Sequence, residues 1–326
     1  MLWQQPIETP EGVDEAPWLV VGRSAAFVAG PKVGLMAFDL AGSGAPLWSS
    51  SHVSALPPVV AGDVVVTVAD PGLVAIREDR DEVAWRAGVD GAPRDVFVMG
   101  DRLGVVSGDE LRTFDAHGAP GWHTSLGAAP ATPFVSDSGV TFVGLENADL
   151  LAIDSASGAV QWRVRVPAKP ESLASAGPRV YVSTAAGHLY SFEKSANPKP
   201  KWDYRKIPAI GQPTVDARSA YFTLLNNSLY AFTAGGGSER WHVGLPDRPV
   251  TGPLMLTDSL AVALRDGRVI EVRTDGRIRR PAAAANLPTA LTLQFAATRA
   301  DRTGVVTVTT TQDLKRLLMA WGPPKQ

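Results

Sequence analysis

Cysteine is absent from the 326 residues, which excludes disulfides, thiolate metal sites, a cysteine nucleophile and a lipidated cysteine within this sequence. Neither charge sign dominates: 31 Lys and Arg face 33 Asp and Glu, a formal net charge of −2. That balance gives no electrostatic case for nucleic acid or an anionic membrane surface as a partner. Long hydrophobic runs are missing too. The longest uncharged stretch, between Arg280 and Arg299, contains Asn286, Pro288 and several threonines and reads as loop plus strand, so no direct membrane insertion is expected. Met1 to Glu8 holds no basic region followed by an apolar core, hence no secretory signal. The expected location of the sequence as written is the cytoplasm, with the periplasm as the alternative if it is a trimmed piece. There is no Gly-x-Ser-x-Gly, no Walker loop and no His-Glu-x-x-His.

What is present is repetition. Tryptophans stand at Trp3, Trp48, Trp85, Trp122, Trp162, Trp202 and Trp241, at steps of 45, 37, 37, 40, 40 and 39, and a further step of 39 reaches Arg280. Gly44, Gly118, Gly158 and Gly237 each precede their tryptophan by four positions, as Gly276 precedes Arg280, while Asp81 and Pro198 fill that slot in the other two copies. Further upstream an apolar residue closes a short strand, at Phe38, Ile76, Phe114, Ile153, Phe192, Phe232 and Val272. Three residues earlier stands Leu35, Leu73, Leu111, Leu150, Leu189, Leu229 or Val269. Asp149 to Trp162 shows the unit best: an apolar strand, the turn residues Asp154 to Gly158, then a strand presenting the tryptophan.

Two more strand-like runs precede each hairpin, such as Pro58 to Val60 and Val64 to Val68. Four short antiparallel strands in about 40 residues is the size of a propeller blade. Val64 to Val68 is almost continuously apolar, as a strand covered on both faces should be. After Arg280 only three strands are legible, Ala290 to Ala297, Gly304 to Thr309 and Leu317 to Trp321, while Met1 to Gln4 is an orphan strand with its own tryptophan. The N-terminal strand completing the last blade closes the ring and removes both free edges. The expected fold is therefore an all-β, eight-bladed propeller of four-stranded antiparallel blades. It forms a single domain over residues 1–326, with blades at roughly 4–48, 49–85, 86–122, 123–162, 163–202, 203–241, 242–280 and 281–321 plus 1–3.

Leu151-Ala152-Ile153-Asp154, Ser157-Gly158 and Trp162 resemble the tryptophan-docking repeat of pyrroloquinoline-quinone-type propellers, which also builds the non-enzymatic eight-bladed propeller of bacterial BamB-like outer-membrane assembly lipoproteins. The resemblance spans essentially the whole chain. It implies that the tryptophans act as wedges between blades, and that the protein is a non-catalytic scaffold or assembly factor presenting loop faces to protein partners. It also implies that such proteins are periplasmic. The same repeat carries an alternative, a quinoprotein-like ligand-binding or dehydrogenase domain using PQQ and calcium. The adjacent cysteines common in that enzyme group are missing, so no catalytic, metal or cofactor-binding residue is assigned and no cofactor is expected. Gly187-His188 and Trp202-Asp203 are the dipeptides of WD40 propellers, but each occurs once and they lie fifteen residues apart.

Other groups read as structural. His123 and His242 each follow a repeat tryptophan but stand three blades apart, about 135° around the ring, too far to share a metal. His52, His117 and His188 read as rim residues likewise. Glu78, Asp79, Asp81 and Glu82 lack the alternation and central glycine of a calcium loop and read as a solvated turn. The frame lapses once, where Arg277, Arg279 and Arg280 replace the wedge, with Arg265, Arg268 and Arg273 nearby in sequence and the acidic stretch Glu8 to Glu15 expected close to the ring closure. This is the candidate patch for an acidic partner. The propeller is expected to be monomeric.

Overall fold

The computed structural model describes residues 2–7, 17–30, 32–40, 42–69, 72–195, 198–205, 207–279, 292–298, 304–310 and 316–321. Among them every regular element is a strand, and the strands form eight four-stranded antiparallel sheets. Blade 1 runs from Trp18–Val21 to Pro46–Ser50, blade 2 from Val59–Ala61 to Val83–Gly88, and blade 3 from Pro93–Met99 to Pro120–Ser125. Blade 4 runs from Val135–Asp137 to Val160–Arg165, blade 5 from Pro170–Ala176 to Pro200–Arg205, blade 6 from Ala209–Val215 to Glu239–Gly244, and blade 7 from Leu254–Met255 to Ile278–Arg279. Blade 8 joins Thr292–Thr298, Val305–Thr310 and Arg316–Trp321 to the N-terminal strand Trp3–Ile7. Trp3 pairs with Ala320 and Ile7 with Arg316, and the Leu2 amide donates to the Ala320 carbonyl at 2.7 Å. The two ends of the chain thus share one blade, as expected from the orphan strand. The first strand of each blade touches the first strand of the next all the way round, with blade 8 meeting blade 1. This makes the sheets a closed propeller.

The core is a ring of seams rather than one cluster. Seven apolar clusters each combine buried residues of two successive blades, for example Phe142, Leu150 and Trp162 of blade 4 with Leu173, Val182 and Phe192 of blade 5. Second strands such as Ala25–Gly30 and Val64–Ala69 are buried almost throughout, because they have a strand on either edge and a blade on either face. The continuously apolar run Val64 to Val68 therefore belongs to the second strand. The first strands, which line the axis, are less evenly buried: Val59–Ala61 is half buried throughout, whereas Pro170–Ala176 is mostly buried. Fourth strands alternate, as in Pro120–Ser125, because they form the outer edge.

The repeat frame has a structural meaning. Each of the seven repeat tryptophans lies within the fourth strand of its blade and packs in the seam toward the following blade. In five seams the seat is the glycine four positions before the next frame position, a tryptophan or, after Gly276, Arg280: a side chain at Gly44, Gly118, Gly158, Gly237 or Gly276 would overlap the ring of Trp3, Trp85, Trp122, Trp202 or Trp241 respectively. At Gly158 the φ of 77° adds a second reason for glycine, since L side chains are strained in that region. Spacing in the sequence thus records contact between blades.

Candidate interaction surfaces

The seams join through polar as well as apolar contacts. Trp48 Nε1 donates to the Glu78 carbonyl at 3.1 Å, Trp122 Nε1 to Ser155 at 3.2 Å and Trp241 Nε1 to Thr274 at 3.0 Å, each acceptor lying in the outer hairpin of the following blade. Among the described residues the buried Nε1 atoms of Trp85, Trp162 and Trp202 have no partner. At Trp202 the equivalent carbonyl, Ala234, instead accepts from the Tyr181 hydroxyl at 3.2 Å.

Glu78 differs from the solvated turn expected of it. It is 6% exposed, and its Oε1 accepts from the Ser24 amide at 2.9 Å, the Ala25 amide at 3.2 Å and the Ser24 hydroxyl at 3.3 Å. The carboxylate stitches blade 2 to the first turn of blade 1, a contact that local sequence does not reveal. Asp137 does the same between blades 4 and 5, accepting from Lys194 Nζ at 2.5 Å and Ser175 Oγ at 3.0 Å. These hydrogen bonds hold its carboxyl below the usual range against the opposing effect of burial. Asp79 and Glu82 are exposed and pair with Arg80.

The described histidines that make side-chain contacts do so within or beside their own blades. His123 Nδ1 meets Glu110 at 2.9 Å, His188 meets Asp203 at 3.1 Å, His242 meets Glu239 at 2.7 Å, and His52 meets Ser50 at 2.8 Å. Calcium or zinc chemistry needs several converging ligands. Among the described residues no three His, Asp or Glu side chains are placed to hold one ion.

A cavity of about 410 Å³ opens between the outer strands of blades 2 and 3, bordered by Gly88, Asp90, Arg112, Phe114, Gly121 and His123. Its guanidinium is already held, Arg112 donating to Asp90 at 2.7 Å and Glu110 at 3.2 Å. Asp95, on the first strand of blade 3, has its carboxyl pushed up to about 6 by burial.

The basic patch is split by the fold. Arg279 donates to Asp258 at 3.0 Å and to Glu271 at 2.7 Å, while Arg277 is exposed and shares Asp275 with Arg273 at 4.0 and 3.6 Å. Arg265 and Arg268 belong to the turn at the other end of the strand Val269–Arg273, so they sit on the opposite face of the propeller. Arg280 and the stretch Glu8 to Glu15 lie outside the described residues.

Eight four-stranded blades, seven of them carrying a tryptophan that packs toward the next blade, closed by an N-terminal strand, define the class of tryptophan-docked propellers. Residues 31–241 match the family model described as "Outer membrane protein assembly factor BamB". A protein of that name from Bordetella pertussis (strain Tohama I) is 30% identical over 300 residues, covering 85% of this chain and 77% of that protein. The chain belongs to the BamB family of outer membrane protein assembly factors. Solved structures agree on the fold: BamB from Moraxella catarrhalis is 15% identical with a TM-score of 0.67 over 99% of both chains. The computationally designed Ika8 protein (13%, 0.72, over 98% of this chain and 100% of that one) and Saccharomyces cerevisiae Sqt1 (10%, 0.73, over 98% of both) share the architecture with other histories. The cytoplasmic location expected above is overturned by this membership, because the family acts in outer membrane protein assembly. Membership also supports a role in protein interaction and assembly, with protein partners.

Proposed function

We propose that this chain is a non-catalytic scaffold that works at the outer membrane, on its periplasmic side, holding protein partners on the loops of a rigid propeller during assembly of outer-membrane proteins. The observation that carries the reading is the 30% identity to an outer membrane assembly factor over 85% of the chain. In this reading the seven tryptophans Trp3, Trp48, Trp85, Trp122, Trp162, Trp202 and Trp241 are the blade wedges that keep the loops in fixed relative positions, and rigid scaffolds with variable loops are suited to binding. The patch at Arg277, Arg279 and Arg280 contributes through Arg277, the exposed guanidinium, since Arg279 is held by Asp258 and Glu271.

The test is affinity capture from crosslinked envelope fractions of the source cell, using the tagged full chain. Recovery of outer-membrane assembly proteins, reduced by Arg277→Glu, is the expected result. Capture of nothing specific from the envelope fraction would contradict the proposal. So would calcium-dependent oxidation of an alcohol or sugar by the purified protein supplied with PQQ.

A further inference from the structure

The turns between second and third strands in blades 4 to 7 share one backbone conformation. The amides of Ala148, Gly187, Asn227 and Gly267 each donate to the carbonyl three residues earlier, at Leu145, Thr184, Leu224 and Leu264, over 2.9 to 3.1 Å. All four have positive φ, from 58° to 87°. The second residue of each turn is Glu146, Ala185, Leu225 or Arg265. Its amide donates to the loop entering the same blade, at Ala129, Lys169, Pro208 or Arg248, over 2.8 to 3.0 Å. Four blades thus hold the same position on one face at the same angle and change only the side chain.

The changes are not neutral. Glu146 in blade 4 is compensated by Lys169 at 3.4 Å, and Ala185 in blade 5 is small. Blade 6 presents Leu225, 43% exposed on a tight turn and outside the apolar clusters of both flanking seams. Blade 7 presents Arg265, whose backbone amide donates a hydrogen bond to the Arg248 carbonyl and so brings a second exposed arginine beside it. The nearby carboxylates are taken up by other donors. Asp247 accepts from the Arg248 amide at 2.7 Å, and Asp266 takes both the Arg268 amide at 3.1 Å and Arg268 Nε at 2.6 Å. Among the described residues the guanidiniums of Arg248 and Arg265 have no carboxylate partner.

We infer that Leu225, Arg248 and Arg265 form a docking surface on blades 6 and 7 for a protein segment that places an apolar side chain next to carboxylates. The inference rests on the scaffold reading above and gives it a second surface, on the face opposite Arg277, with its own partner chemistry. An apolar anchor flanked by unpaired cations is complementary to an acidic, partly apolar segment, and the cations speed the encounter and fix its orientation. An anionic lipid surface fits less well. Electrostatic attachment to a bilayer draws on clusters of about four to eight Lys or Arg, and this surface has two uncompensated cations around one leucine.

The experiment places a photo-crosslinking amino acid at Leu225 of the full chain in the source cell, with Val160 on the outer strand of blade 4 as the control position. The expected adduct maps to a segment with Asp or Glu within a few residues of the crosslinked apolar side chain. Its yield should fall roughly tenfold with Arg248→Glu combined with Arg265→Glu. Leu225→Ser, tested by capture of the same segment, should show a similar loss. All three positions are exposed, so the thermal midpoint should stay within about 2 °C of the unsubstituted protein. An adduct no stronger than at Val160, one on a segment lacking carboxylates, or one insensitive to the charge reversal overturns the inference. So does flotation with phosphatidylglycerol vesicles that is lost on charge reversal, which would assign the surface to lipid. If envelope partners are captured equally well by all these variants, the surface is wrong and the scaffold reading stands. If no partner is captured by the unsubstituted chain, the scaffold reading itself fails.

Discussion

Replacing Trp162 by alanine tests whether the repeat tryptophans hold the blades together. Trp162 is 6% exposed and lies in the seam of blades 4 and 5, its ring 5.9 Å from that of Phe142 and packed among Leu173, Tyr190 and Phe192. An indole buries roughly 150–250 Å². At about 25 cal/mol per Å², with an alanine methyl left behind and partial collapse of the seam, the loss is about 3–5 kcal/mol. With an m value of about 3–4 kcal/mol/M, urea unfolding followed by tryptophan fluorescence and far-UV circular dichroism should show a midpoint lowered by roughly 1 M. Trp162→Phe separates shape from hydrogen bonding. Because Trp162 Nε1 has no partner, phenylalanine loses only volume, about 1–2 kcal/mol. At Trp122 the same change also strands the Ser155 carbonyl and costs about 1 kcal/mol more. An alanine variant with an unchanged midpoint would refute the wedge role, and equal phenylalanine penalties at both positions would refute the hydrogen-bond reasoning.

Glu78→Ala leaves the Ser24 and Ala25 amides of blade 1 without their acceptor and should lower stability by about 2–3 kcal/mol, read by the same urea titration, whereas loss of a merely solvated carboxylate would leave the midpoint in place. Asp95 carries the pH dependence. Its carboxyl sits at about 6, above the ordinary 3.8, so the folded state disfavours the charged form, and stability present below pH 4 is lost as pH rises through about 6. Asp95→Asn should therefore stabilise the protein at pH 7.5 by about 1–2 kcal/mol after allowance for partial solvation, with the gain vanishing near pH 4 in thermal melts. A gain independent of pH would exclude the cause. Ala148 holds a φ of 69°, where the equivalent residues are Gly187, Asn227 and Gly267, so Ala148→Gly should raise stability by about 0.5–1 kcal/mol in chemical unfolding, and a loss would contradict the strain.

The architecture was legible because a propeller writes its contacts at fixed intervals. The glycine four residues before the frame position in five of the repeats is a seat for the previous indole, so a local spacing encodes a nonlocal contact. The orphan strand at Trp3 likewise announced its pairing with Arg316–Trp321. Contacts peculiar to one seam leave no periodic trace. Glu78 looked like one carboxylate of an exposed cluster because its partners, Ser24 and Ala25, lie 54 and 53 residues away. The arginines of blade 7 looked like one patch along the chain, but a strand of five residues, Val269–Arg273, carries Arg265 and Arg277 to opposite faces. Leu225 was hidden for a different reason: an exposed leucine is unremarkable in sequence until the same turn position in three other blades shows what the frame itself requires. Location was misread because the residues that form the rings say nothing of compartment.

The most direct measurement compares outer-membrane protein levels in source cells with and without this chain. The account predicts that depletion lowers the amounts of folded outer-membrane proteins and that the full chain restores them, whereas the chain carrying Leu225→Ser, Arg248→Glu and Arg265→Glu, though folded, restores them only in part. Unchanged outer-membrane protein levels on depletion would contradict it.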